Sequence, residues 1–141
     1  MKDIFDVTDK AIVITGGGGV LCGEMAGQLA QRGAKVCVAD YNTQAAEQVC
    51  KKIEAEGGFA FPVSVNVMDR KAMEDALDLA VEKMGRVDVL INGAGGNKKE
   101  ATCSPPTTFF DLPDEAIKAV FDLNCVGTML PCQVFGKHMA E

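Results

Sequence analysis

Residues Thr15-Gly16-Gly17-Gly18-Gly19-Val20-Leu21-Cys22-Gly23 constrain this chain more than any other stretch. An apolar run, Ala11-Ile12-Val13-Ile14, precedes them; a segment with helical spacing of apolar residues, Val20, Leu21, Met25 and Leu29, follows. The order is strand, glycine turn, helix. Glycine lets the backbone adopt φ > 0 and brings its amides close to another group. The helix behind the turn presents unpaired N–H donors and the positive end of its dipole. Together they make a site for a pyrophosphate. The dinucleotide pattern G-x-G-x-x-G is matched in part, by Gly17 and Gly19, with small Cys22 at the third place, where close helix–strand packing is the requirement. A tight strand-to-helix turn needs glycine whether or not anything binds, so the context downstream has to decide.

Composition removes several alternatives. A length of 141 residues suits one domain rather than two. A net charge of −6 disfavours general binding to nucleic acid or an anionic membrane, both of which need a basic face. The apolar runs have strand length, so no membrane-spanning segment is expected. The N-terminus, Met1-Lys2-Asp3-Ile4, lacks the apolar stretch of a secretory leader. Six cysteines, at 22, 37, 50, 103, 125 and 132, form no C-x-x-C pair and sit mostly in apolar patterns, which predicts buried free thiols in a reducing cytoplasm. The single histidine, His138, has no partner nearby in sequence and reads as an ordinary helix or surface residue rather than a metal ligand or base.

The pattern alternates strands and helices. The spacing predicts strands over 11–15, 35–39, 60–67 and 87–91, and helices over 20–31, from Asn42 or Thr43 to Gly57, and from Asp69 to Gly85. The third helix carries a stripe of Ala72, Met73, Ala76, Leu77, Ala80, Val81 and Met84. This βαβ alternation predicts a doubly wound parallel sheet of the Rossmann type, with helices on both faces. A long loop, Gly95 to about Phe110, leaves the fourth strand on the same edge as the glycine turn. Asp111 with Pro113 is expected to open another helix, with Ile117, Val120 and Phe121 facing in, interrupted near Asn124–Gly127. Pro131 restricts where a last amphipathic segment can begin.

Asp40 lies at the tip of the second strand, 24 residues after Gly16. A carboxylate there can accept both ribose hydroxyls of an adenosine and repels a 2′-phosphate. No arginine in the glycine turn or just after Asp40 offsets that repulsion, so NAD is favoured over NADP. Taken alone, Asp40 could equally be an exposed strand-end acid.

These residues, with the Asn66-Val67-Met68-Asp69 turn, Asn92-Gly93-Ala94-Gly95 and Phe121-Asp122-Leu123-Asn124, make the chain resemble the N-terminal part of a short-chain dehydrogenase/reductase. The wording of the glycine turn and of Ile91-Asn92-Gly93-Ala94-Gly95-Gly96-Asn97 resembles the sugar-acid branch of that family, D-mannonate oxidoreductase or fructuronate reductase. The resemblance implies that Gly16, Gly18, Gly19 and Leu21 line the pyrophosphate, Asp40 and Tyr41 border the adenine ribose, and Asn66 and Val67 flank the adenine. It implies that Asn92, Gly93 and Ala94 sit beside the nicotinamide ribose. Asn124 would be the asparagine of the family's Asn-Ser-Tyr-Lys tetrad, placing a water in the proton relay.

The chain also departs from the family's pattern. Val20 and Cys22 stand where later glycines are usual, Asn66 where an aspartate is usual, and Gly93 where a second asparagine is usual. The family's acid/base pair is a tyrosine with a lysine four residues on. This chain has one tyrosine, Tyr41, followed at that spacing by Ala45. The serine, tyrosine and lysine are expected beyond Glu141, in a domain incomplete at its C-terminus. The fourth strand is then an apolar edge, which predicts self-association, a homo-oligomer, or marginal stability. Lys98 and Lys99, in the loop at the nicotinamide end, either meet a substrate carboxylate or are solvated loop lysines. Two functions follow. One is the cofactor half of an oxidoreductase that interconverts a secondary alcohol and a ketone on a small-molecule substrate. The other is a non-catalytic nucleotide-binding or interaction module.

Overall fold

The computed structural model describes residues 3–141. Met1 and Lys2, at the head of the segment expected to carry no leader, lie outside the described residues. The elements are β1 (Ala11–Thr15), α1 (Val20–Gln31), β2 (Lys35–Asp40), α2 (Thr43–Ala55), β3 (Phe59–Ser64), α3 (Arg70–Met84), β4 (Val89–Asn92), α4 (Asp114–Phe121) and α5 (Gly127–Ala140). The four strands pair in parallel, in the order β3-β2-β1-β4. The chain therefore steps outward from β1 to β3 and returns to place β4 on the other side of β1. That reversal opens a crevice at the carboxyl ends of β1 and β4.

Strand alternation sorts the core into two layers. Ile12, Ile14, Val36 and Val38 point to one face, where Ala26 and Ala30 of α1 and Ala46, Cys50 and Ile53 of α2 cover them. Ala11, Val13, Cys37 and Ala39 point to the other, against Met73, Ala76 and Ala80 of α3 and Val134 and Phe135 of α5. Both faces are buried, so β1 reads as continuously apolar rather than alternating. Short-range capping sets the helix ends. Asn42 Oδ1 accepts the Ala45 amide at 3.1 Å, Asp69 Oδ1 accepts that of Ala72 at 3.2 Å, and Gly85 closes α3 in the left-handed region.

Five expectations are corrected. β3 ends at Ser64 and not Val67, because β2 runs out at its partner Asp40. Asn66 then turns the chain, its Oδ1 accepting the Met68 amide at 3.0 Å. Val65 and Val67 are apolar because they are buried, not because they pair. β4 begins at Val89 and not Val87, since the Ala11 amide goes to the Asp88 carboxylate rather than to a strand carbonyl. α4 begins at Asp114, and Phe121 is 64% exposed instead of facing in. The break expected near Asn124–Gly127 is a single π turn, Asp122–Val126, and the chain stays helical through it. α5 then carries Pro131 inside it with its side chain fully buried, so packing overrides the lost amide bond.

Asp88 ties the foot of β1 to β4. It accepts the Ala11 amide and the Arg86 Nε, each at 2.9 Å, with Lys10 Nζ at 3.9 Å. Burial raises its pKa, but these donors and cations outweigh burial and hold the carboxyl below its ordinary value. A lowered folded-state pKa contributes stability that is present above the unfolded value, about 4, and is lost as pH falls through the folded value. Asp88→Asn is therefore expected to cost about 1 kcal/mol at neutral pH, with the difference from wild type closing in acid. Urea unfolding at both pH values checks this.

Candidate functional site

The crevice is built from the tips of all four strands. At the end of β1, Thr15 is fully buried. Its carbonyl oxygen accepts the Gly93 amide at 3.0 Å, and its Oγ1 accepts the Gly93 and Ala94 amides at 3.3 Å each. The turn after β4 is thus held onto the tip of β1. Gly16 follows with φ +66°, and its backbone presses on that same turn: a Cβ on Gly16 would sit 2.6 Å from the Gly93 oxygen and 2.7 Å from the Ala94 nitrogen. Only glycine supplies both the dihedral and the space.

The rest of the glycine turn is held by the tip of β2. Gly17 donates its amide to the Ala39 carbonyl at 3.1 Å, and Gly18 donates its own to Asp40 Oδ2 at 2.9 Å. Asp40 Oδ1 accepts the Asn42 amide at 2.8 Å, and Asn42 caps α2. Asp40 therefore bridges the glycine turn and α2, and each of its oxygens keeps a lone pair for a hydroxyl donor. α1 starts after Gly19 with no side chain capping its first-turn amides. These amides are what an anion needs.

Between these tips lies a cavity of about 450 Å³. Gly16 and Gly19 of the glycine turn line it, as do Asp40 and Tyr41 after β2, Asn66 and Val67 after β3, and Gly93 and Ala94 after β4. The structure thus gathers eight of the eleven sequence-derived cofactor positions around one space. Gly18, Leu21 and Asn92 do not line it. The Gly18 amide orients Asp40 instead. Leu21 is 79% exposed in the first turn of α1. Asn92 donates Nδ2 to Cys132 Sγ at 3.2 Å, and its Oδ1 is buried without a partner among the described residues.

Asn124 sits in the π turn and clasps the loop after β4. Its Nδ2 donates to the Gly96 carbonyl at 2.7 Å and to the Val120 carbonyl at 2.8 Å, while its Oδ1 accepts the Gly96 amide at 3.2 Å. In this structure it fixes the backbone beside the cavity. Lys98 and Lys99 are exposed in the same loop. His138 lies in the last turn of α5, where a cation complements the helix dipole.

Sequence reasoning missed Thr15, Val65 and Leu123. Thr15 was legible as the head of the glycine stretch but not as a clamp; its hold on Gly93 needs β4 beside β1. Val65 and Leu123 line the cavity, and only their proximity to Asn66 and Asn124 hinted at it.

All six cysteines are free; Cys22, Cys37 and Cys50 are buried, and Cys103, Cys125 and Cys132 are exposed, which corrects the expectation of mostly buried thiols. Burial pushes the Cys22 thiol up, with the Asp40 charge adding to it. Burial takes Cys37 and Cys50 to about 12. None of the three is a thiolate nucleophile at neutral pH. Among the described residues no cluster of His, Cys, Asp or Glu could hold a metal ion, and no helix is long and apolar enough to cross a membrane.

A family model described as short chain dehydrogenase matches residues 10–141. The chain belongs to the short-chain dehydrogenase family. A crystal structure of a Haemophilus influenzae protein, provisionally assigned as a D-mannonate oxidoreductase and holding NAD, superposes with a TM-score of 0.89 at 40% identity, over 95% of this chain and 51% of that one. The Bacillus subtilis oxidoreductase UxuB is 39% identical over 96% of this chain and 52% of its own length. The Escherichia coli 7alpha-hydroxysteroid dehydrogenase is 33% identical over 87% of this chain and 45% of its own. The chain spans about half the length of the curated relatives it matches. The superposition on the Haemophilus structure covers this chain's four-stranded parallel sheet and the helices on both its faces.

Proposed function

We propose that residues 1–141 are the NAD-binding part of a short-chain oxidoreductase that interconverts a secondary alcohol and a ketone on a small molecule, a sugar acid being the preferred class. One observation carries the reading: a single cavity is lined both by Gly19, the residue from which the uncapped helix α1 starts, and by an anchored carboxylate, Asp40, at the neighbouring strand tip. The residues fit the cofactor. The α1 amides and Gly19 suit the pyrophosphate. Asp40 suits the adenine ribose, and its charge opposes a 2′-phosphate. Tyr41 would border the same ribose, Asn66 and Val67 the adenine, and Gly93 and Ala94 the nicotinamide ribose. When bound, the nicotinamide supplies the hydride chemistry.

The chain's own residues bind and orient. Gly18 holds Asp40, Thr15 holds Gly93 and Ala94, and Asn124 holds Gly96. Lys98 and Lys99 supply positive charge for a substrate carboxylate. Proton transfer needs a Tyr-x-x-x-Lys pair that this chain lacks, since its only tyrosine is followed by Ala45 at that spacing. We assign that pair to sequence outside residues 1–141, in a domain that this chain leaves incomplete. β4 pairs only with β1 among the described residues, and that open edge supports association of copies. The free state of all six cysteines supports a cytoplasmic setting. The missing pair also favours a second reading, a nucleotide-binding module without catalysis.

Isothermal titration of the chain with NAD, NADP and ADP-ribose tests the binding. The expected result is weak binding of NAD, competition by ADP-ribose, weaker binding of NADP, and no turnover of sugar acids. No heat with NAD at millimolar concentration would overturn the reading. A native reading frame that stops at Glu141 would move the choice to the binding module.

A further inference from the structure

We infer that Cys22 and Gly93 form a size-matched positioning pair that sets the gap between the two turns lining the cofactor cavity. An ideal Cβ on Gly93 would lie 2.1 Å from Cys22 Sγ. Favourable carbon contacts begin at about 3.5 Å, so a side chain at position 93 must drive the thiol out of its present rotamer or the turn out of its present place. The thiol occupies the volume that any side chain at position 93 would need.

This matters because of what Gly93 touches. Its amide is bonded to Thr15, and its carbonyl lies against Gly16. Gly16, Gly93 and Ala94 all line the cavity. A side chain at 93 would push the turn after β4 away from α1 and from Thr15, and the glycine turn would lose its neighbour. The two departures from the family pattern, cysteine where glycine is usual and glycine where asparagine is usual, are then a single exchange of volume between α1 and the turn after β4. The buried, protonated thiol acts through the backbone of Gly93 and is not a nucleophile.

The inference rests on the cofactor reading, and its test separates the two. Wild type, Gly93→Ala, Cys22→Gly and the double variant are compared by NAD titration and by thermal unfolding. Gly93→Ala is expected to weaken NAD binding by at least about tenfold, as overpacking a tight site does. Cys22→Gly alone is expected to lower the melting midpoint, since glycine weakens a helix, and to weaken NAD binding by about threefold, since the gap loses the thiol that fills it. The double variant is expected to recover affinity to within about threefold of wild type while its melting midpoint stays low. A residual approach of 2.9 Å to the Thr15 carbonyl keeps that recovery incomplete.

Gly93→Ala binding NAD like wild type would overturn the pairing. So would a double variant that binds no better than Gly93→Ala. If wild type binds no NAD, the cofactor reading falls and the positioning role falls with it. The steric match is then judged on melting midpoints alone, sustained by a double variant melting above Gly93→Ala and overturned by one melting no higher.

Discussion

Gly16→Ala is expected to destabilise the chain by about 2–5 kcal/mol and to remove NAD binding. Two costs add. At φ +66° a residue with a Cβ loses about 1–2 kcal/mol relative to glycine. The new methyl would also lie 2.6 and 2.7 Å from backbone atoms of Gly93 and Ala94, which have no rotamer to yield. Relieving such a clash costs about 1–3 kcal/mol. A domain holds about 5–15 kcal/mol in all, so the loss is a large fraction. The affected contact is also a wall of the cavity, so binding fails together with stability. Gly27→Ala is the control. Its Cβ would meet nothing within 4 Å, and it lies inside α1. There alanine is expected to be neutral or to stabilise by up to about 1 kcal/mol. Urea unfolding of both variants, with NAD titration, measures the contrast. Equal midpoints for the two would mean that the turn relaxes freely, and the packing account of Gly16 would be wrong.

Asp40→Asn is expected to remove most of the preference for NAD over NADP. Two unit charges about 4 Å apart at an effective dielectric near 20 interact by about 4 kcal/mol. Asp40 is partly exposed, and salt screens the pair. A working difference of about 1–2 kcal/mol remains, or roughly five- to thirtyfold in relative affinity. A second effect accompanies it. Both carboxylate oxygens accept amides, Gly18 at one and Asn42 at the other. Asparagine offers one acceptor, so its NH2 must face one of these donors. That costs about 1–3 kcal/mol of stability. The two effects separate by measurement: the ratio of NADP to NAD dissociation constants reports the charge, and unfolding reports the lost acceptor. The ratio for wild type should shrink as salt rises, whereas that for Asp40→Asn should not. An unchanged ratio in the variant would detach Asp40 from discrimination.

Several elements were legible before any coordinates because the signals that set them are local. α1 spans Val20–Gln31 as the spacing requires, and α3 runs between its Asp69 cap and Gly85. The parallel doubly wound architecture followed from strand and helix alternation. Strand ends were less legible. β3 stops where its partner β2 stops, and Val65 and Val67 kept a strand-like pattern while serving a different burial. Phe121 has the spacing of an inward residue yet is exposed, as the last residue of α4 before the π turn.

The amino-acid order alone determined the order of elements, the glycine turn, the acid at the tip of β2, and the lack of a tyrosine–lysine pair within these residues. Each is a property of neighbours in the chain, carried by period, cap or residue type. The tertiary structure decided which of those groups share a cavity. It turned the Gly18 amide toward Asp40, left Leu21 in solvent, set Thr15 as the clamp on Gly93, and placed the Cys22 thiol where a Gly93 side chain would be. These are contacts between residues far apart in sequence. They exist only because β4 returns beside β1, and no local pattern encodes the distance between two strand tips.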